Sequence, residues 1–305
     1  MSDVLIGTCS WTDKALIDSD AFYPTKTMSA EDRLRFYSAN FPIVEVDSSY
    51  YALPSVTNSK LWAERTPEDF TFDIKAFRLF TGHWAEPKAF PRDLSHELPP
   101  LEGRKRGYYY KDVPEDIGDN LWMRFESALV PLAEAGKLGL ILFQFPDYIQ
   151  PITRNIDHIL ECKDKLRGFP LAIEFRNQAW MDESRMEETL NLLRSNDLAY
   201  VCVDEPQGFK SSAPPIAEAT SDVGYVRFHG RNTATWERKG IAASERFDWY
   251  YRPEELQEWM DKINTLKGLT SKVHVLMSTN AYDQGPRNAR LLAEVLQIPL
   301  PTTEG

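Results

Sequence analysis

Four pairs of ionisable side chains in this 305-residue chain share one spacing: Glu45 with Asp47, Asp73 with Lys75, Glu174 with Arg176, and Arg227 with His229. Two residues is the repeat of a β-strand, so each pair points to one face of its strand. The opposite faces carry Val44 and Val46, Ile74, Ile173 and Phe175, and Val226 and Phe228. Gln144 and Asp204 end two further apolar runs, which brings the set to five carboxylates against Lys75, Arg176 and Arg227. Ions withdrawn from water must pair or meet a ligand. Acids and bases held close together also push one another's pKa values apart, the condition for general acid–base catalysis.

Roles follow from side-chain chemistry. Glu174 or Asp204, with His229, are the candidate proton carriers, and Lys75 completes the candidate catalytic set as a protonated anion clamp rather than a Schiff-base nucleophile. Arg176 and Arg227 suit bidentate recognition of a carboxylate or phosphate. Glu45, Asp47 and Gln144 line the same face, and Trp11, Tyr50 and Trp180, near strand ends, could floor a pocket. Gly230-Arg231-Asn232 and Gly285-Pro286-Arg287 could add donors of the kind that bind phosphate. Glu45, Glu174, Asp204 and His229 could hold manganese or magnesium, but no paired-histidine or Cys-x-x-Cys spacing occurs, so no metal and no cofactor are expected. Cys9 could pair with His229 as a nucleophile, although a free cysteine is more often a small core residue.

These residues need a scaffold that brings strand ends together. Strands are expected at 4–8, 43–47, 70–75, 139–144, 171–175, 199–204, 225–230 and 272–277, nearly all separated by helical patterns. Ser29 and Ser55 are N-cap signals, and Gly285-Pro286 opens a last helix. This alternation predicts an α/β fold: an eight-stranded parallel TIM-like barrel formed as one domain over 1–305, its site at the C-terminal strand ends. Residues 78–120 break the rhythm with prolines and the triplet Tyr108-Tyr109-Tyr110, a long insertion after strand 3 that could act as a lid. An open doubly wound sheet is the competing architecture, disfavoured because no glycine-rich fingerprint follows the first strand.

Composition narrows the partners. A net charge of −11 argues against general nucleic-acid or anionic-membrane binding. Three scattered cysteines form no disulfide framework. No apolar run approaches a membrane span, and 4–6 reads as a strand rather than a signal peptide, so a cytoplasmic protein is expected.

Several segments are similar to the YecE-like family, catalogued as domain of unknown function 72. They are Gly7-Thr8 with Trp11, Phe22-Tyr23-Pro24, Val44 to Tyr51 with Leu53-Pro54, Phe72 to Ala76, Phe143 to Pro146, Ile173 to Arg176 with Trp180, Tyr225 to Gly230, and Asn288-Ala289. The resemblance implies a TIM-like barrel and no established reaction. Cys9-Ser10 stands where many relatives resemble Ser-Gly, and Asp47 where Asn is usual. Thr279-Asn280 stands where Asn-Asn is common, which places Asn280 in the ligand-binding set. The expected function is an enzyme, or an enzyme-derived binder, acting by acid–base chemistry on a small anionic, phosphorylated or carboxylated ligand. A metal-dependent phosphodiesterase or sugar isomerase, and a non-catalytic ligand sensor or interaction protein, are the alternatives.

Overall fold

The computed structural model describes residues 3–103 and 105–301; residues 1, 2, 104 and 302–305 of the expected domain lie outside them. Eight parallel strands, β1 (Asp3–Cys9), β2 (Ile43–Val46), β3 (Thr71–Lys75), β4 (Leu138–Phe145), β5 (Leu171–Phe175), β6 (Leu198–Asp204), β7 (Val223–Phe228) and β8 (Lys272–Met277), close in chain order. The last strand pairs with the first from Asp3↔Lys272 to Thr8↔Met277, so the sheet has no free edge.

Helices wrap the outside because the outward residues are apolar. Val44, Val46, Phe72, Ile74, Ile173, Phe175, Val226 and Phe228 are all buried beneath them. Ser29 and Ser55 cap the helices Ala30–Ser38 and Val56–Glu64 by accepting from Asp32 N and Asn58 N. The final helix is Gln284–Leu296. Between β6 and β7 there is no helix, and Pro206, Pro214 and Pro215 explain why the chain crosses there as an irregular loop.

The segment 78–120 is less loop-like than its composition suggests. The helix Glu115–Glu134 begins inside it, because Pro114 and the first-turn acids Glu115 and Asp116 set its start before the apolar periodicity begins. Phe77, Leu79, Phe80, Phe90 and Tyr108 are buried, and Phe80 stacks on Trp122 with ring centroids 3.6 Å apart. None of the described helices is long and apolar enough to cross a membrane.

Candidate functional site

Strand register decides which polar side chains enter the barrel. Cys9 pairs with Glu45 and Glu45 with Asp73, while Gln144 pairs with Glu174. Partners in a parallel ladder point to the same side, so these residues share the interior. In β6 the register is Ala172↔Ala199 and Val203↔Arg227, which turns Ala199, Val201 and Val203 inward. Asp204 therefore faces out, and the next residue, Glu205, faces in.

Asp204 is thus a structural anchor and not a member of the interior set. Its Oδ1 accepts from Tyr251 Oη at 2.6 Å, and its Oδ2 from Trp259 Nε1 at 2.7 Å and Arg231 Nη2 at 2.6 Å. The same contacts correct the expected anion-binding edge after β7. Arg231 is spent on Asp204 and Glu258, and Gly230 N donates to Tyr251 Oη. The cavity bordering the β1, β7 and β8 loops is lined by Asp18, Glu245 and Asp248, the wrong sign for an anion. Asn280 stands near that side, beside Asp13.

Two aromatic assignments also change. Trp11 packs edge-on against Trp62 and Phe72, and Trp180 stacks on Phe175 at 4.2 Å while donating to Ile149 O. Phe72 and Phe175 are outward residues, so both tryptophans belong to the layer between barrel and helices. Tyr50 does stand at the mouth, with Lys75 Nζ 5.1 Å from its ring centre.

Arg227 is the hub of the interior, only 1% exposed. Its Nε and Nη2 donate to Glu45 at 2.9 and 2.7 Å, its Nη1 donates to Glu174, and Nη2 also reaches Cys9 Sγ at 3.5 Å. Tyr225 Oη adds a 2.8 Å bond to Glu45. Every nitrogen of this guanidinium is engaged, so Arg227 has no fork left for a ligand. Lys75 is paired with Asp47 at 3.1 Å. Deeper in the barrel Asp73 accepts from His274 Nδ1 at 3.0 Å and from Leu140 N at 2.7 Å. A side chain at Gly139 would come within 2.2 Å of that carboxylate. His274 carries no sign of this role in its local sequence, since only the barrel closure brings it to Asp73.

Electrostatics separates the carboxyls. Burial would raise Glu174, but Arg227, His229 and Arg176 outweigh it and hold this carboxyl well below its ordinary value. It stays ionised, which removes it as a proton carrier. Burial pushes Glu45 up to about 7 against the pull of Arg227. Burial would also raise Asp47, but Lys75 and Arg227 lower it. Burial raises the Cys9 thiol, with Glu45 adding to the effect, so it is no activated nucleophile. His229 is lowered to about 4, by burial against the opposing attraction of Glu174, so the imidazole is neutral. Its Nε2 lies 3.0 Å from Glu174 Oε1. An ionised carboxylate only accepts, so Nε2 carries the proton and Nδ1 keeps a lone pair. That nitrogen is buried without a hydrogen-bond partner among the described residues.

Above this core lies a cavity of about 680 Å³. Gln144 and Arg176 form part of its wall and tie it to the core, because Gln144 Nε2 donates to Glu174 Oε1 at 2.7 Å and Arg176 Nη1 at 3.3 Å. Lys210, Lys239 and Arg246 also face it, against only Asp147 and Glu237. Arg176 is steadied by the Trp236 ring, 4.3 Å away. Trp236 lines the cavity, is 2% exposed, and has no acceptor for its indole N–H among the described residues. His83, on another wall, is lowered to about 3 by burial and then by Arg78, Lys75 and Arg176. Sequence reasoning missed Glu205, Lys210, Trp236, Lys239 and Arg246. Glu205 was within reach, since of two adjacent acids at a strand end one must point inward; Lys210, Trp236 and Lys239 sit on loops without periodicity, and Arg246 ends the short helix Ala243–Arg246.

Cys9, Glu45 and Asp47 place one ligand atom each within 4.8 Å of one another, a geometry open to a cation. Arg227 and Lys75 already neutralise that group. The oxygen-rich set expected from the sequence is split, because Asp204 faces outward.

The family profile described as "Protein of unknown function DUF72" matches residues 5–304. The chain is 31% identical over 299 residues to the UPF0759 protein YunF of Bacillus subtilis, covering 97% of this chain and 95% of that one. It is 25% identical over 274 residues to the UPF0759 protein YecE of Escherichia coli K12, covering 88% and 87%. Crystal structures of DUF72 family proteins from Enterococcus faecalis and Thermotoga maritima superpose with TM-scores of 0.78 and 0.74. Their identities are 22% and 24%; coverage is 99% of both chains for the first, and 97% of this chain and 99% of the other for the second. At that identity the likeness speaks for the fold.

Proposed function

Because the chain belongs to the protein family of unknown function DUF72, which brings no reaction with it, we propose a role from the site alone: a small phosphorylated or carboxylated molecule binds in the cavity above Glu174 and undergoes proton transfer there. The observation that carries this reading is the wall of that cavity. Arg176, Lys210, Lys239 and Arg246 converge on one space in a protein of net charge −11. Lys210 and Lys239 have no carboxylate partner within ion-pair distance among the described residues. Arg246, whose Nη1 and Nη2 donate to the backbone carbonyls of Trp236 and Arg238, contributes a charge that no carboxylate among the described residues neutralises, so an incoming anion displaces no carboxylate from these three. The unpaired Trp236 indole supplies a further donor, and Arg176 presents a guanidinium already oriented by ring stacking.

His229 is the base of this reading. Glu174 fixes its tautomer and would stabilise the imidazolium as Nδ1 gains a proton, as a permanently ionised neighbour should. Trp236 and Phe247 lie against the His229 ring, with centroids 6.2 and 5.7 Å away, and keep bulk water from it. Equilibrium binding of phosphorylated and carboxylated sugars tests the proposal. Saturable binding that weakens with salt and in Arg246→Gln is expected. Absence of saturable binding across both classes would sink it.

A further inference from the structure

Resting on the reading above, we propose that Glu205 is the acid of the site, carrying a proton on Oε2 and donating it to an oxygen of the anion held by Arg176. Glu205 directly follows β6 and is 3% exposed. One carboxyl oxygen is used structurally: Oε1 accepts from Ala213 N at 2.7 Å. The other, Oε2, is buried with no hydrogen-bond partner among the described residues, 3.5 Å from Arg176 Nη1. The same nitrogen lies 3.3 Å from Glu174 Oε1. One guanidinium thus stands between two carboxyls, and the geometry treats them unequally.

Among the described residues Glu174 has Arg227, His229 and Gln144 besides, whereas Glu205 adds only the Ala213 N–H to its share of Arg176. Two carboxyls this close to one cation split into an ionised and a protonated member. The charged groups facing Glu205 are Arg176 and Glu174 from β5 and its loop, with Asp204 beside it in the chain. Burial is the main influence, Arg176 opposes it, and Glu174 and Asp204 add to it; together they place Glu205 at about 8. An anion on Arg176 draws the guanidinium's charge away from Glu205 and adds negative charge nearby. Both effects favour the protonated acid, whose O–H then has the acceptor it lacks in the free site. On transfer the Oε2–H bond breaks, an O–H bond forms on the ligand, and the remaining carboxylate is met by Arg176 and the Ala213 N–H. His229, opposite in role, takes the proton that the ligand gives up, so no further reagent is needed.

Sulfate is the probe, since its own charge is constant across the range. Wild-type affinity should be level up to about pH 8, with no proton taken up, and then fall about tenfold per pH unit, with about one proton taken up per sulfate bound above that pH in calorimetry in two buffers of different ionisation heat. Glu205→Gln should bind with a level pH profile and no proton uptake. A level profile in the wild type, or an unchanged slope in Glu205→Gln, would overturn the role of Glu205 while leaving the anion site standing. The wild-type proton count decides the matter even if the variant folds poorly. No sulfate binding at any pH would overturn both this inference and the reading beneath it.

Discussion

Arg227 and Arg176 both reach Glu174, yet they stand in opposite circumstances. Arg227 is wholly buried, and its donors are consumed by Glu45, Glu174 and Cys9. Arg176 opens onto a cavity with three other cations, rests on an indole, and has only long contacts to two carboxylates. A saturated ion cluster holds shape and offers nothing to a newcomer. An unsaturated one is costly to leave alone and gains when a ligand arrives. The barrel therefore divides its charges by depth, with a plug at the centre and a receptive wall above it.

The largest expected effect falls on the plug. Arg227→Met strands Glu45 and Glu174 in a dry interior and should cost about 3–5 kcal/mol in chemical denaturation. A loss below about 1 kcal/mol would deny the plug its role. Asp204→Ala comes next. It leaves Tyr251, Trp259 and Arg231 without their shared acceptor, at a cost of about 2–3 kcal/mol, while sulfate affinity should stay within about twofold of wild type. A strong binding defect without a stability loss would return Asp204 to the site.

Glu205→Gln sharpens the comparison through pH. The Glu205 carboxyl is raised from 4.5 to about 8 in the folded protein, so the folded state holds a proton that the unfolded state releases. Stability from this group is fully present below pH 4.5 and is lost as pH rises towards about 8. The glutamine variant cannot lose it. Denaturation midpoints of the two proteins should therefore differ least in acid and drift apart up to about pH 8, with Glu205→Gln the more stable. Parallel curves would show that Glu205 titrates normally. The smallest effect belongs to Lys239→Gln, an exposed rim lysine. Stability should change by less than about 0.5 kcal/mol, and sulfate affinity should fall a few-fold at low salt and less at high salt.

Much of the plug was legible in the sequence because period-2 alternation survives wherever outward residues are bulky and apolar. Glu45, Glu174, Arg227 and His229 were found in that way. The same rule failed at β6, where small Ala199, Val201 and Val203 fill the interior and outward Asp204 is held by residues 27 to 55 positions later. Contacts at that separation leave no local pattern. Trp11 and Trp180 misled for a related reason: a tryptophan at a strand end can serve the pocket or the helix layer, and only the packing of Phe72 and Phe175 decides. The receptive wall was nearly invisible, since Lys210, Trp236 and Lys239 come from irregular loops and Arg246 from the short helix Ala243–Arg246, all gathered by barrel closure.

The division of labour is tested most directly by calorimetric titration of inorganic phosphate into wild type and Arg176→Ala. The wild type should bind phosphate at one saturable site, and Arg176→Ala should fold with nearly unchanged stability and lose that binding at least tenfold. Phosphate binding that is absent from the wild type, or that survives intact in Arg176→Ala, would contradict it.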